Sequence, residues 1–428
     1  MPRCSRALPG LRAGLLACLR ACLLLGCLLG ISGCALTRPE PPTPELKRLA
    51  GQMLLVGFRG AEPGPDRPGD TLGGRPGGLP ILGQIAELNL GGVILFDRDV
   101  ALKSPERNIT SPEQLRRLTS ALQAAASAAG APPLFIAVDQ EGGRVQRLRA
   151  ARGFPETPPA AELCPSGDPA PALCAGEQTG ATLASVGINL NFAPVADVNV
   201  NPQNPVIGAL GRSFSADPAE VGPCAGAFAR GLKSQGVLTA AKHFPGHGSS
   251  STDSHEGFTD VTATWTEAEL IPFRELLRQD LADMVMTAHV FNARLDPAHP
   301  ATLSRPVIGG LLRGRLGFTG VVVTDDLQMR AVAAHYGLKE TVRLCVEAGA
   351  DVLLIGNNLD HDENIAGKTL DALMELVAEG RLSPERLRES VARIQNVKRK
   401  LPAAHVGKGP FPAATPETSK ETPCTSCS

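Results

Sequence analysis

Eight short apolar runs, separated by helix-patterned sequence, constrain this chain more than any other feature. They are Met53–Phe58, Gly92–Phe96, Leu134–Val138, Ile188–Phe192, Leu238–His243, Met284–His289, Val321–Asp325 and Asp351–Ile355. Each is almost continuously apolar, as a strand covered on both faces should be. Helix-patterned segments lie between them, among them Pro112–Ala129, Pro218–Gln235, Thr266–Gln279, Arg330–Ala348 and Leu370–Glu379. Eight such units over about 350 residues predict an α/β fold, a (β/α)8 TIM-type barrel, as one domain over residues 46–400. A doubly wound open sheet is the rival. No Gly-x-Gly-x-x-Gly opens a helix after a strand, so dinucleotide binding has little support.

The flanks read differently. Arg3, Arg6 and Arg12 precede an apolar stretch, Gly14 to Ile31, that ends in Ile31-Ser32-Gly33-Cys34. A basic start, an apolar stretch and small residues before a cut describe an export signal over residues 1–33. Ser-Gly-Cys resembles the bacterial lipobox, which makes Cys34 the expected site of lipidation. A membrane-spanning anchor is the other reading, with Arg20 costly near its middle. Residues 34–45 then form the lipidated cysteine and a Pro-rich tether, and residues 401–428, rich in Pro, Thr, Ser and Lys, form a disordered tail. The expected location is the bacterial cell envelope, lipid-anchored outside the cytoplasm.

Export frames the cysteines. Cys164 and Cys174 flank a short loop and can pair in an oxidising compartment. Cys224 and Cys345 fall in helix-patterned sequence, where buried thiols are expected. Cys424 and Cys427 sit in the tail, as weak evidence for redox or metal chemistry. A formal net charge of -1, with no basic stripe, gives no support to nucleic-acid binding. One Trp and one Tyr leave few aromatic platforms, which favours a small pocket over a long cleft. Two long connections, Arg59 to Gly78 and Ala151 to Ala172, follow the first and third strands. They read equally as pocket-shaping loops or as surface insertions.

Polar residues gather where the strands end. Asp139 follows the third strand, in Asp139-Gln140-Glu141-Gly142-Gly143-Arg144-Val145-Gln146-Arg147. Asn191 and Asp197 follow the fourth, with Arg212 beyond; Lys242 and His243 end the fifth, His289 the sixth and Asp325 the seventh. In a barrel these ends form one rim, where active sites lie. Asp325 is the candidate nucleophile, with Asp326 free to cap the next helix in its place. His255 is the candidate acid/base, with Asp253 two residues earlier to fix its tautomer and raise its pKa. A surface histidine on a flexible loop is the bland alternative. His243, His247, Asp253 and His255 also read as metal ligands, although their spacing fits no specific template.

These residues resemble those of bacterial β-N-acetylglucosaminidases of glycoside hydrolase family 3. The resemblance covers the whole expected barrel. It rests on Gly91-Gly92-Val93-Ile94-Leu95-Phe96, the Asp139 to Val145 motif, Asn191-Phe192-Ala193-Pro194-Val195, Gly211-Arg212-Ser213-Phe214, Lys242-His243-Phe244-Pro245-Gly246-His247-Gly248 with Asp253-Ser254-His255, and Thr324-Asp325-Asp326-Leu327. The Lys-His-Phe-Pro-Gly-His-Gly loop with its Asp-Ser-His is the specific part; it separates this branch from the β-glucosidases of the family. The resemblance implies a catalytic barrel in which Asp325 attacks the anomeric carbon and His255, paired with Asp253, serves as acid and then base. It implies that Asp139, Arg147, Arg212, Lys242 and His243 bind a terminal N-acetylglucosamine, with no metal and no cofactor. The implied activity is an exo-acting, retaining β-N-acetylhexosaminidase on peptidoglycan fragments or related β-linked glycosides. The implied partners are that glycan and, through the lipid anchor, a membrane, with the protein a monomer. Phosphorolysis is an alternative, since histidine repels an anionic acceptor less than a carboxylate would; an idle wall-binding lipoprotein is another. Many Gram-negative members are cytoplasmic, so a lipobox points this chain toward envelope substrates. Without the second domain of some relatives, the acid is expected from the barrel's own loop.

Overall fold

The computed structural model describes residues 42–62 and 80–402. The signal segment, Cys34, most of the connection after the first strand, the tail beyond Pro402 and its two cysteines lie outside the described residues.

All eight expected strands form. They are β1 (Leu54–Gly57), β2 (Gly92–Ile94), β3 (Phe135–Val138), β4 (Leu190–Asn191), β5 (Leu238–Phe244), β6 (Met284–Thr287), β7 (Val321–Val323) and β8 (Leu353–Ile355). Every neighbouring pair is parallel, in the order β7-β6-β5-β4-β3-β2-β1-β8. A parallel bridge between Val323 and Val352 brings the two ends of that sheet together, so the sheet closes into the (β/α)8 barrel. The strands are buried along their length, which is why they carry no polar alternation.

The helices wrap this barrel: α1 (Pro44–Gly51), α2 (Ile81–Leu88), α3 (Pro112–Ala128), α4 (Ala170–Ser185), α5 (Pro218–Ser234), α6 (Ile271–Arg278), α7 (Leu338–Ala348), α8 (Ile365–Ala378) and α9 (Pro384–Lys398). Local chemistry starts several of them. Ser111, Asp217 and Ser383 each accept a backbone N–H from the first turn, with proline at the first helical position. The expected helix Arg330–Ala348 is broken: one turn, Arg330–Ala333, is followed by α7, which starts after Gly337. The expected helix Thr266–Gln279 begins as a tight 3-10 turn, Glu267–Leu270. Among the described residues, no helix is long and apolar enough to cross a membrane.

The segment after β3, Ala151 to Ala172, is folded in short turns against its neighbours. The Thr157 carbonyl accepts the Gly143 N–H at 2.8 Å, and the Ala161 N–H reaches the Gly211 carbonyl at 3.1 Å. It therefore buttresses the loops that carry Glu141 and Arg212. The disulfide corrects the cysteine reading. Cys224, expected as a buried thiol, is bonded to Cys164, 60 residues away with Cα atoms 6.1 Å apart. Cys345 is the buried free thiol expected.

Candidate active site

Asn191 at the tip of β4 builds the first wall. Its Oδ1 accepts the Gln140 N–H at 3.0 Å and its Nδ2 donates to the Gln140 carbonyl at 2.9 Å. The Gln140 side chain in turn accepts the N–H groups of Arg147 and Leu148. This double clamp fixes Asp139 and Glu141 on either side of Gln140 and brings Arg147 back over them.

Lys242, on β5, reaches into that wall. Its Nζ lies 2.7 Å from Asp139 Oδ1 and 2.7 Å from Glu141 Oε1. Arg212 grips Glu141 with two nitrogens, at 2.8 and 2.7 Å, and Arg147 lies 3.3 Å from Asp139. Burial alone would neutralise these groups; the opposite charges outweigh it. Asp139 is held below the usual carboxylate range, and Glu141 falls to about 2. Lys242 is raised for the same reason, its burial penalty overcome by Asp139 and Glu141.

His243 extends the chain of contacts. Arg212 Nη2 stands 3.2 Å from its Nε2, so that nitrogen accepts, and Nδ1 donates to Asp197 Oδ2 at 2.6 Å. Asp197 also accepts the His247 N–H at 2.8 Å, which ties the start of the next loop to β4.

That loop carries the candidate acid. His247 is buried between the hydroxyls of Ser250, at 2.9 Å, and Ser254, at 3.1 Å. Burial, with His243 beside it, lowers its pKa to about 4. Gly248 crosses the Val198 carbonyl so closely that a Cβ would stand 1.7 Å from the oxygen. The far end of the loop, Thr259–Asp260, pairs in parallel with Val290–Phe291. At the tip, His255 Nδ1 lies 2.7 Å from Asp253 Oδ1, which also accepts the His255 N–H at 2.8 Å. The His255 ring is half-exposed. Partial burial opposes its charge, but Asp253 and then Asp325 outweigh that and raise its pKa.

Asp325 closes the site at the tip of β7. Its carboxylate is partly buried, which disfavours charge, yet the His289, His243 and His255 rings and the Asp326 N–H together hold its pKa below the ordinary value. Asp326 does the tying work: its Oδ1 accepts the N–H groups of Gly356, at 2.9 Å, and Gln328, at 3.1 Å. Burial raises Asp326 to about 6. His289 sits between Thr302 Oγ1, at 2.8 Å, and the Asp326 carbonyl, at 2.9 Å, and so steadies the peptide that follows the nucleophile candidate.

Asp139, Arg147, Arg212, Lys242, His243, Asp253, His255 and Asp325 all line one cavity of about 340 Å³, with Phe96, Phe192 and Met286 as apolar floor. The nitrogens of His243 and His247 are engaged by Asp197, Arg212 and serines, and among the described residues no three His, Cys, Asp or Glu side chains gather as ligands. Sequence reasoning gave Glu141, Asp197 and His289 no role, although all three stand at strand ends.

Known proteins resemble this chain in sequence and fold. The profile of the Glycosyl hydrolase family 3 N terminal domain matches residues 82–397. Beta-hexosaminidase A of Pseudoalteromonas piscicida is 34% identical over 380 residues, covering 83% of this chain and 61% of its own. A beta-hexosaminidase of Alkalilimnicola ehrlichii is 42% identical over 278 residues, covering 63% of this chain and 74% of its own. The structure of a glycoside hydrolase family 3 beta-N-acetylglucosaminidase from a Paenibacillus species superposes with a TM-score of 0.75 at 37% identity, over 87% of this chain and 66% of that one. The beta-N-acetylhexosaminidase of Beutenbergia cavernae superposes with a TM-score of 0.71 at 30% identity, over 84% of this chain and 99% of that one. The chain thus spans less than two thirds of the Pseudoalteromonas and Paenibacillus proteins.

Proposed function

The chain belongs to glycosyl hydrolase family 3, and from that premise we propose that it is an exo-acting, retaining β-N-acetylhexosaminidase. Its substrate would be a glycan ending in β-linked N-acetylglucosamine, such as a peptidoglycan fragment. One observation carries the reading: an ionised carboxylate on a rigid strand end and an imidazole–carboxylate pair on a loop line the same small cavity.

The chemistry follows from those groups. Asp325 attacks the anomeric carbon and forms the glycosyl ester. His255, its Nδ1 held by Asp253, gives the Nε2 proton to the departing oxygen. The raised pKa keeps that proton available near neutrality. The now neutral ring takes a proton from water, which attacks the same carbon and frees Asp325. Two displacements on one centre retain configuration. Asp139, Arg147, Arg212, Lys242 and His243 would hold the sugar hydroxyl and acetamido groups, and the small cavity suits removal of one terminal unit. Cys34 would hold the protein at the envelope face of a membrane, as a monomer.

Asp325→Ala tests the assignment. It should cut release of aryl alcohol from an aryl β-N-acetylglucosaminide by roughly 10⁴-fold or more while circular dichroism stays unchanged. Near-normal turnover would remove Asp325 from the reaction.

A further inference from the structure

A carboxyl that this chemistry does not use lies beneath the loop that carries His255. Glu269, in the 3-10 turn before α6, is fully buried. It packs on Gly246, where a Cβ would stand 2.7 Å from the Glu269 Cβ and 2.8 Å from its Oε2. Gly246 also has φ of +125°, a conformation that suits glycine. On its other side is Ser249, whose hydroxyl and N–H both lie toward the Glu269 carboxyl. The same segment holds the loop once more: Trp265 Nε1 donates to the Pro245 carbonyl at 3.0 Å. Residues 265–269 thus underlie residues 245–249, where the loop leaves β5.

We propose that Glu269 is a positioning residue for the proton donor, bracing the Gly246–Ser249 root so that the tip presents His255 and Asp253 to the cavity. The inference rests on the reading of His255 as the acid. Asp197, from beyond β4, is the leading charged group that acts on Glu269. Burial, opposed by Ser249 and reinforced by Asp197, pushes the carboxyl up to about 7. Neutral, its O–H can donate to the Ser249 hydroxyl while its other oxygen accepts the Ser249 N–H. Ionised, it places a second buried negative charge beside Asp197 and loosens the root. Glycoside turnover should therefore lose two groups to ionisation on the alkaline side, His255 and Glu269.

The test compares the wild type, Glu269→Gln and Glu269→Ala as full chains over about pH 5 to 9, with an activated aryl β-N-acetylglucosaminide and an unactivated alkyl one. Glu269→Gln should keep wild-type kcat/KM at the acid end and show an alkaline limb with one ionisation where the wild type shows two. Glu269→Ala should lose about tenfold on the alkyl glycoside and under about threefold on the aryl one, because only the former depends strongly on protonation. A wild-type alkaline limb in Glu269→Gln, or equal losses on both substrates in Glu269→Ala, overturns the proposal. If Glu269→Ala does not fold, the Glu269→Gln profile decides alone. Melting temperatures separate this idea from the function itself. A carboxyl raised from 4.5 to about 7 by folding destabilises the native state progressively as pH rises through that window. The Tm advantage of Glu269→Gln over wild type should therefore grow with pH even if no glycoside is turned over; a pH-independent difference overturns the buried, neutral brace.

Discussion

Two buried ionic clusters sit at opposite ends of the barrel and are built for different purposes. At the upper rim, Asp139 and Glu141 share Lys242, with Arg147 and Arg212 alongside. At the base, Asp351 precedes β8 and meets Arg313 at 2.6 Å, Arg393 at 3.0 Å, Arg386 at 3.6 Å and the Ser390 hydroxyl at 2.8 Å. The Asp351 side chain is 0% exposed whereas that of Asp139 is 17% exposed, so only the latter can meet a ligand. The base cluster staples α9 and the segment Pro306–Arg315 to the barrel. The rim cluster presents charge to a cavity. Similar residues thus become glue or a binding site according to whether a void lies next to them.

That contrast can be broken from either end. The largest stability effect is expected at the base. Asp351→Ala leaves three guanidiniums without their common anion and should cost about 3–5 kcal/mol in urea unfolding. If its stability matches wild type, the staple is not one. At the rim, Asp139→Asn should leave unfolding nearly unchanged and lower kcat/KM on an aryl β-N-acetylglucosaminide by about 10–100-fold, from the loss of a charged hydrogen bond to sugar. An equal fall in stability would merge the two clusters into one class. At high pH the smallest effect concerns Lys398, which plugs the barrel base with Nζ 2.8 Å from Gln52 Oε1 and 4.8 Å from the centre of the Phe135 ring. Burial lowers its pKa from 10.5 to about 7. Wild-type stability should then decline as pH falls from 10.5 toward 7, because the unfolded chain takes up the proton first. Lys398→Met should lie within about 1 kcal/mol of wild type at high pH, gain on it across that window and level off below it. A difference that does not vary with pH would show that the ammonium stays charged, held over the Phe135 ring.

The contrast also marks what could be read from sequence. The strands were legible because two-sided burial writes itself as unbroken apolar runs, and the residues closing those runs were legible as a rim. Asp253 and His255 were legible because their contact is local. Glu141 and Asp197 acquire meaning only through partners far along the chain: Arg212 is 71 residues from Glu141, and His243 is 46 from Asp197. No periodicity records such pairs. Cys224 misled for the same reason, since its partner Cys164 lies 60 residues away. Glu269 looks like an ordinary surface residue at the start of a helix; nothing in its neighbours announces that Gly246 will lie against it.

The pairing of Thr259–Asp260 with Val290–Phe291 has a mechanical consequence. A segment free at one end wanders, and each return to a working pose must be found anew. Here the stretch between β5 and that pairing is a bridge with both abutments fixed, so its crown can travel only along a short arc. In the role proposed for His255, that anchoring would return the imidazole to the same spot on each cycle and leave little search for alignment.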